Sequence, residues 1–319
     1  MDWKGRRKSS NVNDARGSSR GRSGGGIGGF GGRGGMFRIP SGGTVRPARS
    51  GGMGCGTMIV IGLIMYALGL NPLQLLGGFA GGLTGGPSVS TQSAPQVNRQ
   101  TGTAGKNDEM KEFMSVIMGS TEEIWTQIFK GYGKEYPLTQ LNLFTGQVRS
   151  ACGTATAASG PFYCPGDSQV YIDLSFYQTL SRQFGAKGDF AQAYVLAHEV
   201  GHHVQNIIGV LPEFNRMRRS MGKLEVNKTS VKVELQADCF AGVWGHYVEQ
   251  QGWLDRGDLE EALVAANQIG DDAIQRKTQG YVVPESFNHG TSAQRKRWFG
   301  RGFESGRIES CDTFKASSL

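Results

Sequence analysis

The sequence predicts an α+β fold, mostly helical, with a small antiparallel sheet or hairpin ahead of one long helix. Three observations carry this. Apolar residues recur at three- and four-residue spacing over much of the second half. Two short β-type runs flank a Pro-Gly turn. And His198-Glu199-Val200-Gly201-His202 lies on a helical stretch of a chain with only five histidines. Composition is uneven: residues 1–50 carry eleven Lys/Arg against two acids, and the remaining residues 23 basic against 25 acidic side chains. The net charge of +7 therefore belongs to the N-terminal stretch and says nothing of anionic partners for the rest.

In chain order, residues 1–56 read as a basic, Gly/Arg-rich cytoplasmic tail. From Lys4 to Arg49 it has almost no apolar side chain to bury, so disorder is expected. The run from Gly28 to Gly35 has the composition of RNA-binding Arg-Gly segments. A solvated, positively charged flank of a membrane segment is the plainer reading, and the next residues support it, so no nucleic-acid partner is expected. Residues 57–79 are uncharged and apolar around Asn71-Pro72, and they reach the ~20 residues a transmembrane helix needs. A signal peptide is the rival reading, but a fifty-residue leader is too long for one. Positive charge upstream then predicts a single-pass anchor, with a cytoplasmic N-terminus and a periplasmic or extracellular domain. Residues 80–107 read as a flexible linker and 108–319 as the folded domain.

Within the domain, Met110, Phe113, Met114, Ile117, Ile124, Trp125 and Ile128 predict a helix, with Gly119-Ser120 as its break. Pro137 to Phe144 and Gln147 to Cys152 read as extended. Pro161–Cys164 and Gln169–Leu174 flank Pro165-Gly166-Asp167-Ser168, which predicts a hairpin whose second strand buries Val170, Ile172 and Leu174. An edge strand there could hold a peptide by main-chain hydrogen bonds. Phe176–Phe184 reads as a short helix. Asp189 then caps a longer one, with Gln192 as its capping-box partner. On that helix Phe190, Tyr194, Ala197, Gly201, Val204 and Ile208 share the core face, with His198 and His202 beside them.

Residues four apart on a helix project together, so His198 and His202 can bind one ion. Glu199, about 100° round from His198, can reach a water on it. This is the arrangement in which two imidazoles hold zinc and a carboxylate serves as general base. A catalytic zinc site needs a third protein ligand. Gln205 and Ile208 stand where the glycine and third histidine of a three-histidine site would fall, which excludes that version. Glu234 supplies the third ligand from a later helix, and Asp238, one turn on, can orient a ligand imidazole. His289, in a loop, can donate to a tetrahedral oxyanion. His203 and His246 read as structural or solvent-facing. Arg295 and Arg297 pair with acids or with a substrate carboxylate, and the sequence does not choose. Four cysteines follow the apolar run, and an even count suggests two disulfides, with Cys152–Cys164 and Cys239–Cys311 favoured. Cys55 borders that run, and no Cys-x-x-Cys exists.

The stretches Leu196–Gln205, Glu234–Trp244, Ile269–Asp272 and His289–Arg295 resemble the neutral zinc metallopeptidase family of bacterial membrane-anchored proteins. The likeness spans most of residues 50–319. More distantly, His-Glu-x-x-His with Glu-x-x-x-Asp is similar to the gluzincin class, of which thermolysin is the familiar member. The resemblance implies a zincin-like metallopeptidase domain with zinc held by His198, His202 and Glu234, Glu199 as base, Asp238 as orienter, and a peptide or protein substrate. The alternative is an extracytoplasmic zinc-binding scaffold without turnover, and the intact Glu199 argues against it.

Overall fold

The computed structural model describes residues 1–16, 104–184 and 188–319. Its elements run β1 (Val12–Asp14), α1 (Ala104–Gly131), β2 (Gln140–Phe144), β3 (Gln147–Ser150), β4 (Gly153–Thr156), β5 (Phe162–Cys164) and β6 (Gln169–Asp173). Then follow α2 (Ser175–Phe184), α3 (Asp189–Ile207), α4 (Val210–Met217), α5 (Lys223–Gln250), α6 (Asp258–Gln268), α7 (Asp271–Gln279) and α8 (Ser292–Ser305). The architecture is mostly helical with small sheets, an α+β arrangement. Trp125, Phe190, Tyr194, Phe240, Trp244 and Trp298 are fully enclosed where α1, α3, α5 and α8 meet.

The hairpin forms as its turn residues predict: β5 and β6 pair antiparallel, Cys164 opposite Gln169, with Ser168 in the left-handed region at φ 58°. The sheet as a whole is not antiparallel. Its order is β1-β2-β6-β5, and both β1–β2 and β2–β6 run parallel. The second strand of the hairpin thus lies inside the sheet. Tyr171 and Asp173 are buried along with Val170, Ile172 and Leu174, as both faces of a parallel pairing normally are. A second hairpin, β3–β4, lies apart and carries Cys152 at its turn. Both favoured disulfides are present, Cys152–Cys164 and Cys239–Cys311.

Residues 4–16, expected to be disordered, are instead part of the folded body. Trp3 is buried edge-to-face on Phe113, 5.2 Å between ring centroids. Arg6 stacks over Trp253 at 4.4 Å. Glu122, buried on α1, accepts from Arg7 Nη2 (3.1 Å), Ser9 Oγ (2.6 Å) and Asn11 Nδ2 (2.7 Å). The segment then becomes β1, and the Met1 ammonium lies 3.0 Å from Asp189 and 3.2 Å from Asp255 and Asp258. A basic stretch poor in apolar residues is thus ordered by long-range ion pairs and one aromatic anchor.

Two further expectations change for the same reason. Helix α1 does not break at Gly119-Ser120. A Cβ on Gly119 would stand 2.8 Å from the carbonyl oxygen of Arg7, so glycine there admits the N-terminal segment. Ser120 Oγ donates to Ile117 O and accepts from Trp244 Nε1 at 2.9 Å. Asp189 does not cap α3: Gly188 is the N-cap, with no side-chain cap bond, and the Asp189 carboxylate faces the Met1 ammonium.

The expected membrane span at 57–79, the linker and Cys55 lie outside the described residues. Among the described residues no helix is long and apolar enough to cross a membrane. The packing of residues 1–16 on the body bears on the expected sidedness. A single crossing between residues 16 and 104 would put two parts of one β-sheet on opposite sides of a bilayer.

Candidate metal centre

Helix α3 carries His198, Glu199 and His202 on the side facing α5. The two helices meet closely at Gly201, where a Cβ would lie 2.9 Å from the Ala237 carbonyl oxygen. That approach brings Glu234 and Asp238, one turn apart on α5, against the two imidazoles. His198 Nε2 is 3.3 Å from Glu234 Oε2 and His202 Nε2 is 3.6 Å from Glu234 Oε1. One donor atom from each of the three residues lies within 4.8 Å of the others. Zinc with tetrahedral ligands at 2.0–2.1 Å requires donors about 3.4 Å apart, so this set fits.

Both imidazoles are oriented through their other nitrogen. His198 Nδ1 is 2.8 Å from Asp238 Oδ1, and His202 Nδ1 is 2.8 Å from Gln205 Oε1. Asp238 is wholly buried and accepts in addition from Tyr194 Oη at 2.6 Å and from Arg295 Nε and Nη2 at 2.9 and 2.8 Å. Burial opposes its charge, but Arg295 and His198 outweigh it and hold the carboxyl down at about 2. Burial also opposes a cation on His198, yet Asp238 and Glu234 lift its pKa to about 10. Glu234 pays the same burial cost and is held well below the usual carboxylate range by His202, His289 and His198. Such concentrated, opposed shifts mark functional sites more often than structural ones.

His289 reaches the same cavity from the loop before α8. Its Nδ1 is 3.2 Å from Asp271 Oδ1, and Asp271 Oδ2 accepts the backbone N–H groups of Asn288, His289 and Gly290 at 2.7–3.0 Å. Burial opposes a His289 cation, but Glu234 and Asp271 raise its pKa. Glu199 also lines the cavity, which measures about 680 Å³ and has mainly apolar walls including Phe162, Phe176, Val195, Leu211 and Phe214. Strand β5, at one edge of the four-stranded sheet, contributes Phe162 and Tyr163 to its rim.

The structure therefore brings His198, Glu199, His202, Glu234 and His289 to one cavity, with Asp238 enclosed behind His198. Arg295 pairs with an acid, Asp238, at the wall of the cavity, and Arg297 donates to Leu319 O at 2.5 Å. His203 is structural, bonded to Pro137 O at 2.7 Å and to Tyr163 Oη at 3.0 Å. His246 holds Phe303 O at 2.7 Å. Sequence reasoning missed Asp271, Tyr194 and the part played by Gln205. The partners of Asp271 and Tyr194 are 18 and 44 residues away, so no local spacing signals them, whereas Gln205 lies three residues after His202 on the same helix and that spacing could have found it.

The family model described as "Putative neutral zinc metallopeptidase" matches residues 1–314. The chain belongs to this family. It is similar to the uncharacterized protein YpfJ of Escherichia coli (strain K12), 46% identical over 317 residues, 99% of this chain and 100% of the relative. It is also similar to the uncharacterized protein Rv2575 of Mycobacterium tuberculosis (strain ATCC 25618 / H37Rv), 43% identical over 211 residues, 63% of this chain and 69% of the relative. No solved structure matches. The zinc metallopeptidase match starts at residue 1 and so takes in the N-terminal segment docked on α1.

Proposed function

We propose that this chain is a zinc-dependent endopeptidase whose ion is held by His198, His202 and Glu234. The observation that carries the reading is the convergence of three ligand atoms at zinc spacing with Glu199 and His289 on one cavity. Bound zinc supplies Lewis acidity, polarising a scissile carbonyl and acidifying water. Glu199 takes the proton from the attacking water and delivers it to the leaving amine. His289, steadied by Asp271, donates to the oxyanion as it forms. Asp238 keeps His198 in the tautomer that leaves Nε2 free for the metal. The apolar walls exclude water and favour an extended segment of unfolded polypeptide lying along the edge of β5. Two disulfides favour an oxidising, extracytoplasmic compartment for the body.

Glu199→Gln tests the reading. The variant should bind zinc with unchanged stoichiometry while chelator-sensitive cleavage of unfolded casein falls about 10²- to 10⁴-fold, the usual worth of a general base. Undiminished cleavage would remove Glu199 from the role. Zinc binding by the wild type without any cleavage of casein or a peptide library would favour a scaffold.

A further inference from the structure

The partner of His202 differs in kind from that of His198. Asp238 is a charge neutralised by Arg295; Gln205 is a neutral amide, fully buried and continuous with a second one. Gln205 Nε2 donates to Val233 O at 2.7 Å and to Gln236 Oε1 at 3.0 Å, and Gln236 Nε2 donates to Cys311 O at 3.0 Å. Backbone carbonyls only accept, so Val233 O fixes the orientation of the Gln205 amide and Cys311 O fixes that of Gln236. Both constraints agree: each amide must turn its nitrogen toward the carbonyl, which leaves Gln205 Oε1 facing His202 Nδ1 at 2.8 Å. An oxygen there demands a proton on Nδ1, so Nε2 is the nitrogen turned toward Glu234 and available to an ion.

We infer that Gln205 and Gln236 are positioning residues, a serial relay of buried amides that fixes the tautomer and ring plane of His202 from the backbone of Cys311. The relay is anchored covalently, since Cys311 is bonded to Cys239, the residue after Asp238 on α5. Each imidazole is thus oriented from α5 or from the chain clamped to it. His198 is held directly through Asp238, and His202 through two amides. This rests on the zinc-site reading of His198, His202 and Glu234 and extends it to residues that touch no ligand atom of Glu234.

A serial relay has a property that independent packing lacks: once Gln205 is removed, Gln236 has nothing left to transmit. The test is zinc affinity, measured on the full-length chain by competition with a chromogenic chelator, for Gln205→Met, Gln236→Met and the double variant. Loss of a group that orients a metal ligand typically weakens binding about 10- to 100-fold. Gln205→Met should fall in that range, Gln236→Met should be weakened less because Val233 O still holds Gln205, and the double variant should match Gln205→Met. Unchanged affinity in Gln205→Met, or a double-variant loss equal to the product of the two single losses, overturns the relay. A wild type that fails to take up zinc overturns the underlying site instead, so the two failures are distinct. Should a variant not fold, ¹⁵N-histidine NMR of the wild type decides the matter. The His202 ring must carry a proton on Nδ1 in both zinc-free and zinc-loaded protein, and an unprotonated Nδ1 rules the relay out.

Discussion

Arg295 and Asp238 form a buried ion pair whose removal can be costed. Arg295 is 3% exposed and Asp238 fully enclosed, and the guanidinium donates twice to the carboxylate. Arg295→Met keeps the volume and deletes the charge. A buried carboxylate stripped of its main partner costs about 3–5 kcal/mol. Protonation sets a ceiling: neutralising a carboxyl with an ordinary pKa of 3.8 costs about 1.4 kcal/mol per pH step above that value, hence about 4 kcal/mol at pH 7. The expected loss is therefore about 3–4 kcal/mol at pH 7, a fall in Tm of roughly 6–16 °C for a body of this size. At pH 5 the ceiling drops to about 2 kcal/mol, because the lone carboxyl can take a proton.

Urea unfolding at the two pH values, with the zinc-free protein, measures this directly. Asp238→Leu should be destabilising to a similar degree, since it strands the Arg295 cation. The double variant Asp238→Leu/Arg295→Met should recover most of the combined loss, because an apolar pair of similar volume replaces the ions. Strictly additive losses, or an Arg295→Met penalty that is the same at pH 5 and pH 7, would refute the reasoning. The wild type has its own signature. Asp238 is depressed to about 2, so its contribution is complete above 3.8 and disappears as the pH falls from 3.8 through 2.

Three other outcomes follow from the geometry. His198 is raised to about 10, so in zinc-free protein its stabilisation is complete below 6.5 and is lost as pH rises from 6.5 through 10; a pH series of Tm that is flat over this window would contradict the assignment. Gly201→Ala places a Cβ 2.9 Å from the Ala237 carbonyl, so the two ligand helices must separate by a few tenths of an ångström. Zinc affinity should drop despite the gain of about 1 kcal/mol in helix propensity, and unaltered affinity would show the crossing is not limiting. Trp3→Ala removes the aromatic anchor of residues 1–16, so hydrogen exchange should speed at Val12–Asp14 while the centre of α3 stays protected; unchanged exchange at β1 would mean the ion pairs alone hold the segment.

What was legible in the sequence was what is local. His198, Glu199 and His202 declare themselves through helical spacing, and the hairpin through Pro165-Gly166-Asp167-Ser168. Glu234 came from chemistry rather than pattern: a two-imidazole site needs a third ligand, and an acid on a later helix could supply it. Asp271 is invisible to both arguments. It follows a glycine at the start of α7 and reads as an ordinary N-terminal helix acid, and only the fold brings it to His289. Gly119 misled for a similar reason. Glycine between helical runs normally marks a break, but here it is space for the Arg7–Ser9 segment, which arrives from about a hundred residues upstream.

The N-terminal segment is the case where composition argued most firmly and the fold disagreed, and the disagreement reaches beyond structure. Residues 1–16 have few apolar side chains, but composition counts burial and cannot count partners such as Glu122, which takes hydrogen bonds from Arg7, Ser9 and Asn11. The positive-inside argument treated those basic residues as free charge that selects the cytoplasmic face. Arg7 and Arg6 are instead committed to Glu122 and to the Trp253 ring. Parallel pairing of β1 with β2 then ties the chain before residue 17 to the chain after residue 103. Both must occupy one compartment, and the two disulfides favour an oxidising one. The expected span at 57–79 lies outside the described residues. The charge pattern alone cannot assign its orientation, because part of the charge it relies on is spent inside the fold.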